Sequence, residues 1–489
     1  MRNQKQSSTD PKSPRSIDPH RDKAWRRVKR SGETHETARL EPHSAIDQSI
    51  EYLPPKALQP AARNARTHSR KQRRKLARLI KKYGFIGAII ADESNVILSG
   101  HLRHAVALEL ELERVPVIRI SHLSDEAKRI YAIAANRLAL DAGWDRETLA
   151  LELGELAILI EDTEIDLEDT GFEIAELDNL RLDHSPPPDR AAEDVLPKVG
   201  EAVSKHGELW LLNKHRLLVG DARQSPDFDK LFCGTAATLI FADPPYNVSI
   251  GKHARRQSGH REFLVASGEM RDDEFANFLK TTLCNAAREL KEGGVAYVCI
   301  DWRHMSVLEA AGLTAFGEMK NVCVWVKPNA GMGTFYRSQH ELVLIFKKGS
   351  APHLNTFELG QHGRSRTNVW HYAGVTSFKR GRREELMMHP TVKPTALIAD
   401  VILDCSKPGD VVLDPFVGSG TTIVAAEKVG RRAYVMELDP TYADVSIRRW
   451  QAYTGRDAVL ESTGETFEEL AERRSLSSGC QPKKGRSDD

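Results

Sequence analysis

The stretch that decides the fold is Val411-Val412-Leu413-Asp414-Pro415-Phe416-Val417-Gly418-Ser419-Gly420-Thr421-Thr422. Val411 to Leu413 are a short apolar run of strand type, and Asp414 falls where that strand would end. Gly418 and Gly420 let the backbone turn sharply and approach a ligand closely. Thr421 and Thr422 open an apolar helix through Ile423, Val424, Ala425 and Ala426, and Gly430 stands where a terminal glycine is expected. A second strand, Arg432 to Met436, leads to Glu437, nineteen residues beyond Gly418. At that spacing a doubly wound α/β fold brings an acidic side chain to a ribose. The third glycine of the dinucleotide fingerprint is absent, as is the Gly-Lys-Ser/Thr of a phosphate loop. By itself the loop fits either a nucleoside-type cofactor or a structural turn.

A second motif narrows the choice. Asp243-Pro244-Pro245-Tyr246 follows the apolar run Leu239-Ile240-Phe241-Ala242, so it too sits at the carboxyl end of a predicted strand, where open α/β sheets place their sites. Two consecutive prolines cannot continue a ladder. They fix a rigid turn with free carbonyls between a carboxylate and an aromatic ring. Such a turn suits a planar amine: carboxylate and carbonyl accept its N–H bonds while the ring stacks on its face. An ordinary proline turn is the plain alternative, and it loses weight beside the glycine loop.

Asp243-Pro244-Pro245-Tyr246, His389-Pro390-Thr391-Val392-Lys393-Pro394 and the Asp414–Thr422 loop together resemble the amino-group DNA methyltransferases. Their order, catalytic motif before cofactor loop, is similar to the beta class. The resemblance spans about 205–455 and implies a Rossmann-like α/β domain dependent on S-adenosyl-L-methionine. It implies that Asp243, Pro244, Pro245 and Tyr246 hold a target base flipped from duplex DNA. It also implies that Asp221, Thr391, Lys393, Asp414, Phe416, Gly418, Gly420 and Glu437 line the cofactor pocket, with Asp221 on the adenine amine, Thr391 and Lys393 at the methionine end and Glu437 on the ribose. Methyl transfer is then a direct displacement without a covalent enzyme intermediate. An Asp at the start of the catalytic motif favours adenine N6, whereas cytosine-N4 relatives more often have Ser there.

Ahead of this region, about 50–180 resembles the ParB-like domain of partition proteins, in the version found in phage-type methyltransferases. The resemblance rests on Gly100-His101-Leu102-Arg103, Val115-Pro116-Val117-Ile118 and Ala135-Asn136-Arg137-Leu138. It implies a smaller α+β domain with an anion site at Gly100, His101, Arg103, Asn136 and Arg137. It leaves room for a nucleotide there and for a homodimer. Partition proteins usually carry Gly-Glu-Arg-Arg in the first box, so Gly-His-Leu-Arg is a departure. Helix caps are the neutral reading of Arg103 and Asn136.

The domain plan follows: a basic disordered tail over 1–45, a ParB-like domain with an acidic helical extension over 46–184, a proline-rich linker over 185–200, a methyltransferase domain over 201–458, and a polar tail over 459–489. Ser69 to Lys82 reads as an amphipathic helix whose outer face is basic without an acidic interruption. That face is either simply solvated or a surface for phosphate. The acidic stretch 145–195, densest from Asp145 to Asp169, would repel DNA and is expected to face away from it. Within 347–388, the candidate target-recognition segment, Arg364, Arg366, Lys379, Arg380, Arg382 and Arg383 are candidate DNA contacts.

Composition adds bounds. The chain has 489 residues, 40% hydrophobic and 28% charged, with net charge +1, which suits two or three globular domains. Six scattered cysteines without a Cys-x-x-Cys pair point to a reducing cytosol and away from zinc. No apolar run approaches a membrane span. Three other functions compete with adenine methylation: cytosine-N4 methylation by the same site, a ParB-like DNA-binding regulator with a vestigial transferase domain, and methylation of RNA or protein.

Overall fold

A computed structural model describes residues 49–160, 163, 165–184, 197, 200, 202–248, 265–266, 268–330, 335–357, 364–372 and 392–478. The chain forms two compact units, one from 49–68 with 85–136 and one from 69–84 with 137–478.

The first unit begins with β1 (Ile50–Leu53); the next helix, α1 (Arg70–Tyr83), belongs to the second unit. The first continues with β2 (Ile89–Asp92), β3 (Ile97–Ser99), α2 (His101–Glu109), β4 (Val115–Ile120) and the start of α3 (Asp125–Asp141). Its four strands are ordered β1-β4-β2-β3. Alternation in β2 turns Ile89 and Ala91 into a core with Leu58, Ile97, Ala107, Val115 and Val117.

The second unit contains α4 (Arg146–Leu159) and α5 (Ile174–His184), then the hairpin β5 (Leu209–Leu212) and β6 (His215–Val219). These lead to α6 (Ser225–Phe232), β7 (Ala237–Ala242), α7 (Asp272–Glu289), β8 (Leu290–Ile300), α8 (Met305–Phe316), β9 (Gly317–Val326) and β10 (His340–Lys348). Next come β11 (Val369–His371), α9 (Thr395–Asp404), β12 (Val411–Asp414), α10 (Thr421–Val429), β13 (Arg432–Glu437), α11 (Pro440–Thr454), β14 (Val459–Leu460) and α12 (Phe467–Ser478).

The sheet runs β11-β9-β10-β8-β7-β12-β13-β6-β5-β14, with a parallel centre from β8 to β6. Central strands are buried on both faces and therefore read as continuous apolar runs. Leu239 and Phe241 of β7 pack on one face with Leu397, Ile423 and Trp450. Ile240 and Ala242 pack on the other with Phe228, Phe275 and Leu279. The chain leaves β7 toward β8 on one side and β12 toward β13 on the other. Their adjoining carboxyl ends therefore form the topological switch point, where such sheets open a crevice.

Three features depart from the sequence reading. The described part of the segment read as a polar tail packs on the sheet: Phe467 and Leu470 are buried, and the Phe467 ring lies 5.4 Å from Trp210. Basic α1 and the acidic segment meet each other. Lys71 and Lys75 pair with Glu173, and Arg78 and Lys82 pair with Asp169, so part of the basic face is neutralised within the chain. Finally, α5 is fixed to the sheet. Arg431, at the amino end of β13, grips Asp178 with contacts of 2.5 and 2.9 Å, and both side chains are buried.

Candidate active site

A cavity opens at the carboxyl ends of β7 and β12. Asp414 ends β12, and its carboxylate accepts hydrogen bonds from Phe416 N at 2.9 Å and Thr422 Oγ1 at 2.5 Å. The loop then turns through Gly418 (φ 56°) and Gly420 (φ 82°), which caps α10. A Cβ on Gly420 would lie 3.0 Å from Ser446 Cα and Cβ, so both conformation and space require glycine. From α11, Ser446 Oγ donates to Gly418 O, and Arg449 Nη1 donates to Ser419 O and Thr421 Oγ1. Sequence reasoning missed this clamp, because the polar residues of a helix face do not announce which loop they meet.

Glu437 accepts from Gly418 N at 2.8 Å and Asp439 N at 2.9 Å. Its carboxylate thus holds the glycine loop while lining the cavity. Burial pushes the carboxyls of both Asp414 and Glu437 up to about 7. Asp221 lies at the rim, bound by Arg223 through Nε and Nη2. Burial pulls its pKa upward, but Arg223 leaves it below the usual carboxylate value. The apolar walls include Phe278, Phe416 and Tyr442. Carboxylates among aromatic rings suit a cationic nucleoside such as S-adenosyl-L-methionine and oppose a triphosphate.

At the end of β7, Tyr246 Oη donates to Asp243 Oδ1 at 2.7 Å. Lys393 Nζ donates to Asp243 Oδ2 at 2.5 Å and lies 3.2 Å from Glu341 Oε2. The lysine expected at the methionine end therefore sits on the candidate catalytic carboxylate in this structure. Glu341, the second residue of β10, receives Lys327 on its other oxygen and lies 3.3 Å from Tyr246 Oη. Burial disfavours the Lys393 ammonium, yet Asp243 and Glu341 raise its pKa and keep it charged. Burial likewise opposes the Glu341 anion, but Lys393 and Lys327 hold it down to about 2. Burial pushes the Asp243 carboxyl upward against the pull of Lys393. Glu341 had no sequence signal beyond a charge at the head of an apolar strand. Its partner Lys327 directly follows the paired strand β9, across the hairpin.

Other expected site residues divide. Arg364 and Arg366 are corrected: Arg364 Nη2 binds Asp404 at 2.8 Å, and Arg366 binds Asp404 and the Tyr372 hydroxyl. Both are mostly buried, at 12% and 15% side-chain exposure, so α9 takes the charges that composition suggested for DNA. Thr391, Lys379, Arg380, Arg382 and Arg383 lie outside the described residues. In the first unit, Gly100 (φ 102°) caps α2, and Arg103 packs over Gly87. His101 Nε2 accepts from Ala61 N, and Asn136 Oδ1 accepts from Arg66 at 2.6 Å. Arg137, which begins the second unit's share of α3, makes an exposed ion pair with Asp141. Among the described residues, no group of His, Cys, Asp or Glu is placed to hold a metal.

Comparison with known proteins agrees with this geometry. The profile of an N6/N4-type DNA methylase family matches residues 237–448, and that of a ParB-methyltransferase HTH domain matches 147–206. The latter overlaps the segment read as an acidic extension and linker, a similarity the sequence reading missed. The chain is 30% identical over 236 residues to the DNA adenine methyltransferase YhdJ of Escherichia coli (strain K12), covering 43% of this chain and 75% of that relative. It is 26% identical over 239 residues to the type II methyltransferase M2.MboI of Moraxella bovis, covering 47% and 85%. A crystal structure of the M1.HpyAVI–SAM complex aligns with a TM-score of 0.36 at 21% identity, covering 48% of this chain and 97% of that one.

Proposed function

The chain belongs to the DNA methylase family of N6/N4 type, an S-adenosyl-L-methionine-dependent group, and we propose from this that it methylates adenine N6 in duplex DNA. The observation that carries the choice of chemistry is the Asp243–Tyr246 turn opening into the same cavity as the Asp414–Gly420 loop. Asp414, Phe416, Gly418, Gly420 and Glu437 would hold the cofactor, which supplies an electrophilic methyl group. An adenine amine in a duplex lies inside the stack, so the base must swing out to reach that group. The Tyr246 ring receives its face. Asp243 and the Pro244 carbonyl accept the N6 hydrogens and aim the nitrogen lone pair.

In this structure both oxygens of Asp243 are engaged, one by Tyr246 and one by Lys393. The target amine must therefore displace Lys393, and Glu341, 3.2 Å from the same ammonium, is the partner that retains it. Asp243 would accept the proton that N6 gives up on methylation. Positioning and fixed charge supply the rate. The adenine assignment is supported by Asp at the head of the motif and by the adenine specificity in the name of the Escherichia coli relative.

We also infer that the ParB-like unit takes a nucleotide phosphate at Gly100 and Arg103, and that the enzyme acts on DNA as a homodimer. Calorimetry with nucleotides and light scattering of the DNA complex check these two points. The main test is transfer of labelled methyl to unmethylated duplex DNA followed by nucleoside analysis. N6-methyladenine supports the proposal, N4-methylcytosine reassigns the base, and no label in DNA overturns it.

A further inference from the structure

The β9–β10 loop carries Phe335 and Tyr336, which are 85% and 86% exposed with ring centroids 4.4 Å apart. Isolated exposed aromatics are ordinary, but an adjacent pair held almost wholly in water asks for a partner. The base of this loop is fixed. Lys327 N donates to Gln339 O at 2.8 Å, and Gln339 Nε2 returns a bond to Lys327 O at 2.9 Å. At that base Lys327 and Glu341 join the cluster of Lys393, Tyr246 and Asp243. Tyr336 is five residues from Glu341, so at most about 18 Å of chain separates the two backbones.

A third ring stands on the same edge. Leu342 pairs with Ile300, so the residues following β8 lie beside those preceding β10. Trp302 there is 55% exposed, and the Arg303 guanidinium lies 4.6 Å from its ring centre. Arg337 follows the first pair, with Nη2 on Ala330 O. Aromatic rings accompanied by arginines match a nucleic-acid stack: the rings meet base faces and the guanidiniums meet phosphates.

Resting on the proposed function, we propose that Phe335 and Tyr336 form a wedge that enters the duplex beside the target adenine and fills the gap left when that base swings out. Apolar wedges are a general means of stabilising an unstacked step. This one is joined through Lys327 and Glu341 to the residues that receive the base. Its occupant is the base stack of the substrate duplex, and docking of a protein on the rings is the competing outcome.

The test uses the full chain, S-adenosyl-L-methionine and a duplex whose methylated base has been located. Phe335→Ala and Tyr336→Ala are assayed on the paired duplex and on the same duplex with the target base mismatched. Wild-type transfer on both duplexes checks the underlying function separately. Each variant is expected to retain cofactor affinity within about twofold and to lose roughly five- to 150-fold in kcat/KM on paired DNA. On mismatched DNA, where unpairing costs less, the loss is expected to stay under about threefold. Tyr336→Phe, which keeps the ring, is expected to retain activity. With 2-aminopurine at the target position, wild type brightens the probe and the alanine variants do not. Equal losses on both duplexes, or no loss on either, would overturn the wedge and leave the rings to a different partner.

Discussion

Cofactor affinity is expected to rise steeply with pH between 6 and 8. Asp414 and Glu437 line the cavity with carboxyls that burial has pushed up to about 7. At pH 6 each is about ten parts protonated to one ionised, and at pH 8 the ratio is reversed. A sulfonium ligand favours the ionised forms. One such group therefore raises affinity about tenfold across the interval, and two raise it about a hundredfold. The sign for the cofactor-free enzyme is opposite. Both groups bind protons more tightly folded than unfolded, so their contribution to stability is lost as pH rises from about 4 through 7. Calorimetry of S-adenosylmethionine and S-adenosylhomocysteine from pH 6 to 8 is the assay. Both ligands share the amino group, so the difference in slope isolates the sulfonium. A flat or falling affinity, or equal slopes for the two ligands, would refute the reasoning.

Glu341→Gln is expected to lower kcat by roughly a hundredfold with cofactor affinity unchanged, because Lys393 loses the partner that draws it off Asp243; an unaltered kcat in steady-state assays would count against that role. Asp178→Ala leaves the fully buried Arg431 without its carboxylate and is expected to cost about 3–5 kcal/mol in urea unfolding, with a loss below about 1 kcal/mol contradicting the clamp. Gly420→Ala is expected to weaken cofactor binding at least about tenfold by strain at positive φ, measured by the same calorimetry, and an unchanged affinity would show that the loop yields to Ser446.

Both strand-end motifs were legible because they are local. Apolar runs ending in Asp414 and Asp243 carry their own signals for strand, turn and carboxylate, and β7 beside β12 then brings them to one cavity. What escaped depends on contacts between distant residues. Glu341 meets Lys393 only through the β9–β10 hairpin and the packing of the 392–394 segment. Arg364 and Arg366 looked like DNA contacts because composition does not show Asp404 closing on them from α9. The basic face of α1 and the acids at Asp169 and Glu173 were read separately as surfaces, although part of each serves the other. The last helix was hidden because, among its described residues, Phe467 and Leu470 alone are buried apolar side chains in a largely polar segment.

The central claim, that Asp243 accepts the target amine for direct transfer, is tested most directly by single-turnover transfer of labelled methyl to duplex DNA with wild type and Asp243→Ala. The account predicts labelled N6-methyladenine from wild type. For the variant it predicts a rate at least about a thousandfold lower with S-adenosyl-L-methionine still bound. Transfer by Asp243→Ala at a rate near that of wild type would contradict it.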